Sequence, residues 1–174
     1  MVQTKHDIIQ EIDQRFDRLF QWLEQQPAER FSQGPEGKWT TGQHISHLIK
    51  STKPLNMALR LPKIQLKAMF GKPNRPLRSY DEVVQRYQEK LAGGGVSTAQ
   101  FVAEESKATD KSGLIAELDK ERGKLTKIIA KWEEEKLDKY LLPHPLLGKM
   151  LIREMLFFTI YHTEHHTKSL EDKY

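Results

Sequence analysis

The chain has no cysteine in 174 residues. That excludes disulfides, thiolate metal sites and cysteine nucleophiles, so any metal must be held by nitrogen and oxygen ligands. It also lacks a long apolar run. A membrane-spanning helix needs about 20 consecutive apolar residues, and the most apolar stretch, Met155 to Tyr161, is short and flanked by polar side chains. The first turns carry Asp7, Glu11 and Asp13 among their apolar residues, unlike a secretory signal. The expectation is a soluble, cytoplasmic protein with no membrane partner. A third absence is local. Residues 37–80 contain no Asp or Glu but nine Lys or Arg, and although the chain carries +4 overall, everything outside this block sums to −5. Such a block can attract an anionic substrate, a phosphate or an acidic partner, and it can equally be a solvated lysine-rich surface.

What is present reads as helix. The length suits one domain over residues 1–174, large enough to bury a core. Ile8, Ile9, Ile12, Phe16, Leu19, Phe20 and Leu23 recur at three- and four-residue steps, predicting a first helix from about Lys5 to Gln25. Thr40 and Gln43 have capping-box spacing and open a second helix, which Pro54 should kink or interrupt. Leu59 to Phe70 continues as a separate short helix after Pro62, and Ser79 with Glu82 opens another through Leu91, ended by Gly93, Gly94 and Gly95. The following residues, to Thr109, read as a mobile crossover. A third long helix covers Lys111 to Trp132, and a last one starts near Leu147 after a loop bounded by Pro143 and Pro145. No strand pattern competes. The expected fold is all-α, a four-helix bundle with its long connection between the second and third long helices.

Three histidines carry the functional reading. His162 and His166 are four residues apart, so they stand about 40° from each other on one helical face and can grip one ion. His47, between Ile45, Leu48 and Ile49 on the second helix, is placed to supply a third nitrogen. Three such ligands leave a coordination position open, the layout of a catalytic rather than a structural site. The competing reading of the pair is two unrelated imidazoles, since seven histidines often produce this spacing by chance. His165 is turned about 100° from His166 and reads as outward or supporting. His44, in the first helical turn, reads as exposed. His144, in a Pro-rich loop, could reach the mouth of a site or cap the last helix. Glu154 lies two turns before His162 as a weak candidate fourth ligand or orienting group.

Two blocks carry a resemblance. The segment from Trp39 to Leu48, with its tryptophan, small hydroxyl residues and His47-Leu48, is similar to the signature opening the second helix of DinB-like proteins. The segment His144 to Gly148, with the last helix into His162 and His166, resembles the second half of that signature. These are metal-binding four-helix bundles, unrelated to the DNA polymerase of the same name. The resemblance implies that His47, His162 and His166 bind a divalent metal, with Zn²⁺ or Ni²⁺ the usual candidates. Trp39 would then be packing at the helix entrance, and His144 a structural or pocket-rim residue. It also implies either metal-dependent hydrolysis or transfer of a low-molecular-weight thiol to an electrophile, on a small-molecule substrate, and commonly a homodimer, with Trp22 or Trp132 available to an interface. This chain departs from the pattern at Lys168 and Ser169, where relatives often carry Arg-Gln. The alternative from a different class is a non-catalytic bundle that binds an acidic partner or nucleic acid through residues 37–80. Nucleic acid is the weaker option, because few aromatics interleave that block and no helix-turn-helix pattern is present.

Overall fold

The computed structural model describes residues 2–96, 98, 101–103 and 107–174. Helix α1 spans Lys5–Gln25, α2 Thr41–Ala58, α3 Lys63–Phe70, α4 Tyr80–Ala92, α5 Lys111–Lys131 and α6 Ile152–Lys173. The long helices α1, α2, α5 and α6 form the bundle: α1 and α2 each pack against both α5 and α6, and α4 lies along the outside of α6. The crossover expected before Thr109 falls partly on residues 97, 99–100 and 104–106, which lie outside the described residues.

Local chemistry starts the helices where the spacing says it should. Thr40 with Gln43 and Ser79 with Glu82 form reciprocal capping boxes, and Thr4 with Asp7 makes a third at the start of α1. Of the α1 stripe, Ile8, Ile12, Phe16, Leu19 and Leu23 are fully buried, while Ile9 and Phe20 are half-buried. Pro54 does not interrupt α2, which continues to Ala58. Pro54 itself is exposed.

One element differs from expectation. Leu141–His144 and Gly148–Leu151 pair as an antiparallel hairpin, β1 and β2, with Leu141 opposite Leu151 and His144 opposite Gly148. The last helix therefore begins at Ile152 rather than near Leu147. The hairpin turn is held by a side chain: His144 Nδ1 accepts hydrogen bonds from the backbone N–H of Leu146 and Leu147, both at 3.1 Å. Gly148 sits at φ +72°, where a Cβ would be strained.

Glu154 is not a metal ligand or an orienting group for one. It is completely buried and grips Arg75 through both oxygens at 2.5 Å, and it also accepts from the backbone N–H of Arg78 at 2.8 Å and Leu151 at 3.1 Å. A bidentate charge-assisted pair of this kind locks the irregular segment before α4 onto the start of α6. Much of the basic block is used internally in the same way. Arg78 approaches Glu154, Lys53 pairs with Glu117, Lys63 and Lys67 lie over the Trp132 and Tyr140 rings, and Lys50 reaches the Val102 carbonyl. Trp132 is itself buried, its indole N–H on the Leu59 carbonyl at 3.2 Å, whereas Trp22 is half-buried. No helix among the described residues is long and apolar enough to cross a membrane.

Replacing Glu154 by Ala leaves Arg75 and two backbone N–H groups without their partner. Urea denaturation of Glu154→Ala should show a loss of about 3 kcal/mol. A loss under about 1 kcal/mol, the scale of an exposed ion pair, would show that the pair does not anchor this segment.

Candidate metal centre

Helices α2 and α6 face each other where α2 is in its first two turns and α6 in its last three. His47, His162 and His166 project into that seam, all buried, and each contributes a ring nitrogen to a cluster in which the three atoms lie within 4.8 Å of one another. The converging atoms are Nε2: His47 to His162 is 3.0 Å, and His166 to His162 is 3.0 Å. Nitrogens bound at 2.0–2.1 Å to a tetrahedral ion of the zinc type stand about 3.4 Å apart. The cluster is of that size.

Proton counting shows what the donor set suits. His47 Nδ1 sits 2.7 Å from the Phe101 carbonyl, to which it can only donate, so a neutral His47 turns a bare Nε2 lone pair inward. A single N–H on His162 cannot point along both 3.0 Å contacts at once. A cation among three lone pairs satisfies all of them, and these residues fit a divalent ion. Burial keeps the rings neutral. Desolvation pushes His47 below its ordinary range, against the opposing Phe101 carbonyl, and His162 and His166 well below it, where the neighbouring imidazoles add to the effect.

The surroundings orient the rings. His44 is buried, not exposed, and its Nδ1 is 2.7 Å from His166 Nδ1. If His166 Nε2 were to hold an ion, its Nδ1–H would donate to a bare Nδ1 on His44, the kind of outer hydrogen bond that fixes the tautomer of metal-ligating histidines. The three-residue spacing from His44 to His47, which puts both on one side of α2, was the available signal. Trp39 stacks parallel to His166 at 6.0 Å and tilts against His47 at 4.9 Å. Its carbonyl accepts from the Tyr174 hydroxyl, and a Cβ at Gly34 would stand 2.5 Å from that same oxygen, so this loop tolerates no side chain at Gly34.

A cavity of about 730 Å³ opens onto the cluster, walled by α2, α4, α6, the hairpin and Phe101. Its lining is mostly apolar, and among the described residues it contains no Asp or Glu. His165 is half-buried in the wall rather than turned outward, beside Tyr87 and Tyr161. Glu164 is directed away, to Arg15 and Lys168. Lys168 thus lies outside the site, while Ser169 lines the cavity.

The buried histidines set a pH limit on stability without metal. Burial lowers His44 and His144 from 6.5 to about 4. Between those values the unfolded chain takes up protons that the native chain refuses, so stability should hold above about pH 6.5 and fall as pH drops toward 4. Urea midpoints of chelator-treated protein across pH 4–8 measure this. A midpoint that is flat through this window would contradict it.

The architecture is shared with solved structures. TT2238, a four-helix bundle protein, superposes with a TM-score of 0.63 at 19% identity, covering 98% of this chain and 100% of that one. YfiT from Bacillus subtilis, described as a probable metal-dependent hydrolase with an unusual four-helix bundle topology, gives 0.59 at 20% identity over 97% of this chain and 84% of its own. The colibactin self-resistance protein ClbS, solved in complex with a dsDNA, gives 0.60 at 14% identity over 98% and 94%. No curated protein matches significantly. The profile of the DinB superfamily matches residues 11–170, a span that takes in His47, His162 and His166, and the chain belongs to that superfamily.

Proposed function

We propose that the protein is a divalent-metal-dependent enzyme in which His47, His162 and His166 hold the ion and the adjoining cavity admits a small-molecule substrate to its open position. The observation that carries this reading is the convergence of three buried, neutral Nε2 atoms on one point beside an apolar cavity. The description of the structural neighbour YfiT as a probable metal-dependent hydrolase supports it. Zn²⁺ and Ni²⁺ suit an all-imidazole donor set.

Three neutral ligands leave an ion its full +2 charge, so it supplies Lewis acidity that ionises a water or thiol, or polarises a carbonyl, near neutral pH. The protein's own part is positional. Phe101 and His44 hold two of the rings in the tautomers that point lone pairs inward. Trp39 and the apolar wall restrict water, which strengthens the local field. With no carboxylate in the described lining to act as general base, the reading favours nucleophiles that the ion activates itself. Hydrolysis and transfer of a low-molecular-weight thiol are the two reactions of that kind. Lys38 and Lys173 at the cavity wall suit an anionic group on either substrate. The homodimer is part of the proposal, with Trp22 on α1 as its marker because Trp132 belongs to the core.

Purified protein should carry one Zn²⁺ or Ni²⁺ per chain by elemental analysis. A triple His47, His162 and His166 to Ala variant should lose it while keeping its helical circular dichroism. Metal-replete wild type should turn over substrates in an esterase and amidase panel or a thiol-transfer panel; a chain that is metal-replete and inert in both would overturn the catalytic reading. Removing His44 should weaken metal affinity by about 10- to 100-fold, the usual cost of losing an orienting partner. Metal competition titration of His44→Ala checks this, and an unchanged affinity would remove His44 from the site.

A further inference from the structure

His144 is the one buried histidine whose position the metal cluster does not explain. It is 8% exposed, at the turn of the hairpin, and its Nδ1 receives two backbone N–H groups, from Leu146 and Leu147. Backbone N–H groups only donate, so Nδ1 must be bare and the single proton of the neutral ring must sit on Nε2. Among the described residues Nε2 has no hydrogen-bond partner, and the ring lines the cavity. A buried polar group left without a protein partner costs free energy unless water or a ligand meets it.

The surroundings say what kind of ligand that is. The His144 ring meets Phe158 edge-on at 4.3 Å, and the other side of the contact chain is Phe158 stacked on His162 at 4.8 Å. Tyr87, 6% exposed, stands between the two histidines, 6.5 Å from His144 and 6.2 Å from His162. The rest of the wall is Leu48, Leu55, Leu91, Leu142 and Met155. We propose that the cavity takes a small organic molecule with an apolar, aromatic-sized body and a carbonyl-type oxygen, and that the Nε2–H of His144 grips this oxygen across Phe158 from the three-histidine cluster. His144 is then a specificity residue. The hairpin explains its place in the sequence: the two N–H groups of the turn, contributed by its own neighbours, fix the ring's tautomer so that a donor faces the ligand at every neutral pH. Burial, which lowers His144 to about 4, keeps the ring neutral. The inference names a substrate class for the proposed enzyme and rests on that reading for which end of the ligand reacts; the donor itself does not require the ion.

Benzophenone and 1,1-diphenylethylene test it, being matched in shape and differing by an oxygen in place of a methylene. Dissociation constants from ligand-observed NMR should favour benzophenone by about tenfold in wild type, the scale of one net hydrogen bond. In His144→Asn the amide oxygen can still accept from the hairpin N–H groups while the Nε2–H is gone. This variant should bind the two probes equally, with the diphenylethylene value within about twofold of wild type. Ring ¹H–¹⁵N correlations of ¹⁵N-histidine-labelled wild type provide a check independent of any variant. They should assign His144 as the Nε2–H tautomer and show that proton shifting with benzophenone only. Equal or absent binding of the two probes by wild type, an undiminished preference in His144→Asn, or an Nδ1–H tautomer would overturn the proposal. Each titration is run metal-loaded and chelator-treated. A preference that appears only with metal assigns the oxygen to the ion and overturns the role of His144 while sparing the metal site. A preference retained by a chain that binds no metal does the reverse.

Discussion

Burial of imidazole against imidazole is the constraint on which this structure turns. Three rings are taken out of water by the same seam, so none readily takes a second proton, and their inward nitrogens crowd against one another. Lone pairs at 3.0 Å repel unless something positive or a shared proton lies between them. The fold therefore concentrates an unmet demand for charge at one point. Everything nearby serves that arrangement: the Phe101 carbonyl and His44 set tautomers, Trp39 and Tyr174 close the outer side, and Phe158 backs His162.

The bundle supplies the precision. Side chains on rigid helices hold their positions better than side chains on loops, and here α2 is packed against α5 and α6 against α1. The Glu154–Arg75 anchor at the opposite end of α6 ties down the long irregular stretch between α3 and α4. That stretch and the hairpin then bring α4 and His144 to the cavity wall. The carboxylate that resembled a candidate ligand in sequence thus acts on the site only through the frame.

The helical part of this was legible because its signals are local. Apolar steps along α1, and the capping pairs at Thr40 and Ser79, act over distances that a sequence window contains. The cluster was legible for a related reason: a four-residue spacing on one helix and a single histidine within an apolar stripe on another define two faces that a bundle must bring together. What escaped depends on distant partners. The hairpin shows no strand signal because β1 contains Pro143, its turn contains Pro145, and its burial comes from α3 and α6. His44 looked exposed since its cover, Trp39 and Tyr174, lies outside regular α2 or at the far end of the chain. Glu154 found its partner 79 residues away. Pro54 lies inside α2, which runs on to Ala58, so the expected interruption does not occur.

X-ray absorption at the metal edge of protein loaded with one equivalent of Zn²⁺ addresses the central claim most directly. The account predicts a first shell of three imidazole nitrogens at about 2.0–2.1 Å with their outer-ring scattering, plus a light atom that an added anion or thiol replaces. A shell of oxygen ligands, a fourth imidazole with nothing exchangeable, or one that survives in the variant lacking His47, His162 and His166 would contradict it.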